Sequence, residues 1–486
     1  SDLYDWLGRL SLSTSTDATQ TSYSYGIENA QTIQKTSANH YQSVSEWLSY
    51  AQTTQTVTRN NQPVQLINRE YQNGFGQTVV LHSSLPPYIY YRYDVAGNLL
   101  DALTWDGTTT FSENGQTYAQ GIATVLTYDL AGRKIYLADP DMGNWDYAYD
   151  GLNNLSRQKD AKAQVSCLYY DGLNRIKGKN YQGNTACPGD PGSGYVVSYT
   201  YDAFSATNSG RGRRTGMSDP SGSTVWEYDL RGRLIHEAKT VLDKADGNKN
   251  LGTYHTYWSY NSDGSIRQMV YPNQETVNYA YTPQGSVNQV YSVQDGTNSA
   301  QYYISATGYN AAGQAVNRTL GNGIIQTFSY YPWAQQGGRL QNILAQKSGV
   351  PAYQNLSFSY DEAGNVRTLT DTVAGEALNF TYDNLNRLDL ATGTYNEDPA
   401  YSPLTGNISS RNGITYNYDN PAHKHAVTST TDGRSFVYDA NGSMTDRTVS
   451  GGPYSLGYDS ANQVTSINGG STNARYVYDG DGKRVL

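Results

Sequence analysis

TVLTYDLAGRKIYLADPDMGNWDYAYDGLNNLSRQKDAKAQVSCLYYDGLNRIK, residues 124–177, decides the fold. Three Tyr-Asp pairs stand in it: Tyr128-Asp129, Tyr149-Asp150 and Tyr170-Asp171, each 21 residues after the last. After each pair comes a short turn with Gly or Asn, then Arg or Asn, then an aliphatic residue (Ile135, Leu155, Ile176). A fixed period of this size marks a repeat architecture, whose units bury their apolar faces against their neighbours.

Within one repeat, Trp145, Tyr147 and Tyr149 alternate with Asp146, Ala148 and Asp150. That period of two puts the aromatics on one face of a strand. Residues 151–154, Gly-Leu-Asn-Asn, read as a four-residue hairpin loop. Leu155 opens the return strand opposite Tyr149, and a second turn follows at 160–164. One period therefore holds two strands of roughly six or seven residues. Asp150 is read as a turn lock, or else as a solvated acid at a strand end; neither reading needs catalysis.

The period extends outward in both directions. Tyr4-Asp5, with Trp6, Gly8 and Arg9, is a clean unit, and Tyr25, Tyr50 and Tyr71 continue it more loosely. Tyr93-Asp94 with Gly97 follows; the 35-residue step to Tyr128-Asp129 with Gly132 predicts an insert or an extended hairpin over 104–123. Later copies are Tyr201-Asp202, Tyr228-Asp229 with Gly232, Tyr360-Asp361 with Gly364, Tyr382-Asp383, Tyr438-Asp439 with Gly442, and Tyr478-Asp479. Tyr260, Tyr281, Tyr309 and Tyr331 lack the Asp and read as weaker copies. The expected organisation is one continuous array: degenerate repeats over 1–92, repeats with long loop inserts over 93–259, degenerate repeats over 260–359, and regular repeats over 360–486.

Composition sets the bounds. The 486 residues carry a formal charge of −9, and 46 tyrosines and 48 glycines sit within only 37% hydrophobic residues. That is too aromatic for disorder. It fits a sheet with two partly wet faces, the tyrosine bodies packed and their hydroxyls reaching water or partners. A nucleic-acid binder would show a basic stripe; the one basic knot, Arg211, Arg213 and Arg214, reads as a solvated loop. No apolar run approaches the ~18 residues of a membrane-spanning helix. The chain opens and stops in mid-repeat, which reads as an internal piece of a longer protein.

The Tyr-Asp-x-x-Gly-[Asn/Arg]-[Leu/Val] cores at Tyr4, Tyr93, Tyr128, Tyr228 and Tyr360, the Asp-Gly-Leu-Asn-Arg of 171–175 and the stretch 406–448 resemble the YD repeats of the Rhs (rearrangement hotspot) family. That family includes bacterial polymorphic toxins, the B and C components of Tc toxins, and teneurins. The resemblance implies an all-β fold, in which a YD-repeat antiparallel hairpin array spirals into a hollow shell. It also implies a secreted or cell-surface protein. Its partner would be its own C-terminal cargo domain, absent from these residues, or other extracellular proteins or glycans. In toxin members an Asp-Pro-x-Gly signature belongs to an autoprotease that would follow Leu486. Asp219-Pro220-Ser221-Gly222 has those letters but reads as an ordinary turn.

No other chemistry is legible. Cys167 and Cys187, 20 residues apart, either bridge neighbouring hairpins or leave Cys167 as a buried strand residue. The six histidines are scattered, and His423-Lys-His425 reads as a loop pair rather than a metal site. Calcium-like loops at 243–250 and 479–483 fail, because Ala245, Gly247 and Lys483 stand where oxygen ligands are required. No catalytic residue, cofactor or metal is assigned. The leading expectation is a structural, non-enzymatic shell segment enclosing a toxin or effector. A teneurin-like adhesion or carbohydrate-binding protein is the alternative, and an enzyme ranks last.

Overall fold

The computed structural model describes residues 2–5, 7–14, 20–37, 40–59, 62–183, 186–243, 246–293 and 301–486. Trp6 of the first repeat and Ala245 of the 243–250 loop lie outside them. Among the described residues the strands fall into a 30-stranded sheet, a nine-stranded sheet and the separate hairpin Thr110–Glu113/Gln116–Ala119. That hairpin occupies the predicted insert. The one α-helix among the described residues is the single turn Trp333–Gln336. Among the described residues no helix is long and apolar enough to cross a membrane.

The pairing is antiparallel and follows chain order. Gly143–Tyr149 pairs with Leu155–Lys159, which pairs with Val165–Tyr170, which pairs with Ile176–Gln182. Tyr149 stands opposite Leu155, and the register shifts by one residue between Ala148 and Tyr149. The same shift precedes Tyr128, Tyr170, Tyr228, Tyr360 and Tyr382. It is a bulge, and its cause is the turn. The third residue after the Asp sits at positive φ: 75° at Gly132, 67° at Asn153, 59° at Asn174. Only Gly, and with less ease Asn, enters that region cheaply, so the repeats alternate between these two.

Two compact units make up the chain. The first comprises Ser1–Trp145, Phe328–Leu344 and Ala352–Gly442. Its core joins Ile33, Tyr41 and Leu48 of the N-terminal strands to Val80, Tyr90, Leu103 and Trp105. Here the structure departs from the short-repeat expectation. Gln20–Ser37 and His40–Arg59 are strands of 18 and 20 residues paired along their length, so Tyr25 and Tyr50 lie on the two arms of one long hairpin. No Asp-x-x-Gly turn interrupts 20–37. Buried Asp101 anchors this hairpin, accepting from Lys35 Nζ at 2.8 Å and the Tyr41 hydroxyl at 2.9 Å and pairing with Arg92.

The second unit comprises Asp146–Thr327, Ala345–Pro351 and Ser443–Leu486. Its core centres on Val165, Cys167 and Tyr169 and on Val197, Tyr199 and Met217.

Candidate functional site

The repeat motif itself is the most elaborated feature. In most of the turns the Asp carboxylate accepts backbone N–H groups two and four residues on. Asp171 Oδ1 receives them from Leu173 at 2.9 Å and Arg175 at 3.0 Å; Asp150 Oδ1 receives them from Leu152 and Asn154 at 2.8 and 2.9 Å. The second oxygen takes the side chain at the fourth position: Arg175 Nε at 2.7 Å, or Asn154 Nδ2 at 3.0 Å. Asp5, Asp129, Asp229 and Asp383 repeat the Arg form, and Asp94 and Asp361 the Asn form. The Arg133 side chain and the backbone N–H groups hold the Asp129 carboxyl below its usual range; Asn98 does the same for Asp94.

The tyrosine does something the sequence did not disclose. In most repeats its hydroxyl donates to a backbone carbonyl of the preceding hairpin, commonly at the residue six after the previous repeat tyrosine. Tyr170 reaches Leu155 O at 2.9 Å, Tyr201 reaches Ile176 O at 2.7 Å, and Tyr382 reaches Val366 O at 2.7 Å. Tyr260, Tyr281, Tyr309, Tyr401 and Tyr458 follow the same rule. Tyr93, Tyr228, Tyr360 and Tyr438 donate to Thr78, Arg214, Leu340 and Val427. The turn arginine then lies over the next ring: Arg175 is 4.3 Å from the Tyr201 centroid, and Arg387 is 4.1 Å from Tyr401. Burial raises the phenol pKa along the row, as at Tyr170 and Tyr382.

Copies without Asp build the same turn. Asn73 and Asn310 offer Oδ1 to the same two N–H groups. Tyr201-Asp202 departs from this pattern. Asp202 itself takes φ 65°, and its carboxylate turns to Gly212 N and Arg175 because an insert replaces the short turn. Tyr4 is exposed, Gly97, Gly232, Gly364 and Gly442 all take positive φ, and Asp439 Oδ1 accepts from Asn441 N.

In the second unit the last turn is held as a strap. Asp479 takes Lys239 Nζ at 2.9 Å and Asp481 takes Arg214 NH1 at 2.8 Å. Gly480 N donates to Asp219 Oδ2 at 3.0 Å, while Gly480 O accepts from Tyr199 OH at 2.8 Å and Lys179 Nζ at 2.9 Å. Asp219 thus belongs to a buried turn that also binds Ser221 N and Oγ, and Arg214 is an ion-paired strand residue rather than part of a solvated loop. A cavity of about 440 Å³ opens beside the strap, lined among others by Tyr181, Val197, Pro220, Tyr476, Val477 and Leu486. Cys167 and Cys187 form a disulfide, Cα–Cα 5.5 Å. In the first unit His423 Nδ1 lies 2.7 Å from Asp141 O and His425 Nδ1 lies 2.6 Å from the Asp141 carboxylate, clamping a distant turn.

A crystal structure of TcdB2-TccC3-Cdc42 superposes on all of this chain with a TM-score of 0.70 at 16% identity. The chain has the Rhs/YD-repeat fold of Tc toxin components. A TcdB2-TccC3 crystal structure matches this YD-repeat array over 99% of its length, TM-score 0.61 at 14% identity. The Photorhabdus luminescens Tc holotoxin pore matches over 99%, TM-score 0.57 at 14% identity. Toxin subunit YenC1 of Yersinia entomophaga is 26% identical over 161 residues, 29% of the YD-repeat chain and 16% of that subunit. No protein-family model matches. The chain spans 26–30% of these solved chains.

Proposed function

We propose that the chain is a wall segment of a secreted Tc-like YD-repeat protein that encloses a C-terminal effector. Its part in that protein is structural rather than catalytic. What carries this reading is the ladder: turn lock, lateral tyrosine tie and stacked arginine recur from hairpin to hairpin. The likeness to TcdB2-TccC3 over the whole chain supports it. Such a ribbon extends by adding rungs, so it suits a container wall. The test is cryo-electron microscopy and limited proteolysis of the full-length parent protein. A hollow particle with a protease-resistant C-terminal segment is expected; a solid particle, or a segment cleaved as fast as when expressed alone, overturns the reading.

The half-exposed rings of Tyr303, Tyr353 and Tyr395, at 47%, 56% and 48%, favour a second reading, adhesion through glycans or proteins. A glycan array without a binder argues against its carbohydrate form.

A further inference from the structure

Two further histidines meet in the second unit. Glu227, His236 and Tyr257 stand in direct register across three neighbouring strands, with His255 on the diagonal opposite Ala238. Glu227 Oε2 is 2.9 Å from His236 Nδ1, and His236 Nε2 is 3.0 Å from His255 Nδ1. The rings are nearly parallel. His236 lies 4.4 Å from Tyr257 at 4° and 5.3 Å from His255 at 13°. Tyr257 is 41% exposed, so this face is open to solvent.

We propose that His236 and His255 form an open two-nitrogen site for a divalent first-row transition cation, copper(II) foremost. A carboxylate on one ring nitrogen fixes the tautomer and leaves the other nitrogen as the ligand. Glu227 does this for His236, keeping the proton on Nδ1 and the lone pair on Nε2. His255 presents a second lone pair when its proton moves from Nδ1 to Nε2. Metal–nitrogen bonds of ~2.0–2.1 Å place two adjacent ligands roughly 3 Å apart, the spacing found here. For a shared ion each lone pair must swing off the nitrogen–nitrogen axis toward solvent, by roughly 40° at that bond length and spacing, which breaks the hydrogen bond between the rings. Among the described residues no group of three or more His, Cys, Asp or Glu is placed to hold a metal ion, so the two imidazoles are the only protein ligands proposed and water fills the remaining positions. A tetragonal nitrogen–oxygen site of this kind suits copper(II) or nickel(II), and copper(II) binds tighter in the divalent series.

The experiment is titration of copper(II) into the tag-free chain, followed by calorimetry and electron paramagnetic resonance. One ion per chain with two nitrogen ligands is expected. His236→Asn and His255→Gln should each weaken binding at least tenfold and remove one nitrogen from the spectrum. Glu227→Gln should weaken it about tenfold with the stoichiometry kept. His425→Gln should change neither the affinity nor the spectrum. A wild-type chain that takes up no copper(II) at a hundred-micromolar concentration overturns the site, as does a spectrum unchanged in both histidine variants. The wild-type nitrogen count decides the matter even if a variant fails to fold.

Discussion

Replacing Asp171 tests the turn lock at the place where its contacts are most complete. Asp171→Ala removes the acceptor of two backbone N–H groups, those of Leu173 and Arg175, and one partner of Arg175. A hydrogen bond is worth about 1 kcal/mol net, and a partly exposed ion pair such as Asp171–Arg175 about 0.5 kcal/mol. The loss is therefore about 2.5 kcal/mol, roughly a 60-fold rise in the local opening constant at tenfold per 1.4 kcal/mol. Asp171→Asn keeps a carbonyl oxygen for the two N–H groups and loses only the charge, so it should raise opening about two- to threefold. Arg175 still contacts Asp202 and lies over Tyr201, so the damage should stay in one hairpin. Native-state hydrogen exchange at the Leu173 and Arg175 amides reads this directly. Protection unchanged in the alanine variant refutes the lock. Equal loss in both variants shows that charge, not the acceptor geometry, holds the turn.

Tyr201→Phe keeps the stacked ring but leaves Ile176 O without its hydroxyl donor, which should cost about 1 kcal/mol and speed exchange between the two hairpins; unchanged exchange would deny the lateral tie. Gly132→Val places a β-branched residue at φ 75° with no close neighbour but Asn98, so about 1–2 kcal/mol of backbone strain should appear as a lower melting temperature. Gly222→Ala should be worse, since its Cβ would sit 2.0 Å from Thr240 O, and it should loosen Asp219 from the Gly480 strap, read as faster proteolysis after residue 476. Asp190 is held down to about 2 by Lys177, the Tyr195 hydroxyl and Gly192 N. A carboxyl lowered on folding stabilises above its unfolded value of ~3.9 and loses that stability as pH falls toward the folded one. The loop carrying Asp190 should therefore stay closed at pH 4 and open between there and pH 2; opening above pH 5 in a proteolysis series would contradict the sign.

The turns were legible because their rules are local. An Asp, a glycine or asparagine three residues on and an arginine or asparagine after it satisfy one another within five residues, so the letters carry the geometry. Asn73 and Asn310 show the limit of that code: the amide oxygen does the carboxylate's work, and a search for Asp discounts them. The tyrosine ties were not legible, because their acceptors are backbone carbonyls and any residue can provide one. Leu155, Ile176 and Val366 share only a position, six after a tyrosine. The His236–His255 contact was within reach, since 19 residues is close to one repeat and brings neighbouring strands side by side.

What no period could reveal are the contacts that cross many rungs within a unit. The carboxylate of Asp361 serves its own turn and also accepts Arg59 NH1 at 2.7 Å, 302 residues earlier in the chain. The Gly480 peptide likewise lies between Asp219 and the Tyr199–Lys179 pair. In both places a repeat turn, built by rules common to every copy, has been given a second partner that only one copy possesses. Nearest-neighbour energetics make a repeat ribbon uniform along its length, so uniform turns alone leave one rung free to pack as well as another. Arg59 and Asp219 each remove that freedom for one turn. It follows that Arg59→Ala, which spares every repeat motif, should disturb the Asp361 turn more than any exposed arginine does. Exchange at the Asn365 amide, bonded to Asp361 at 2.8 Å, is where that difference would register or fail to.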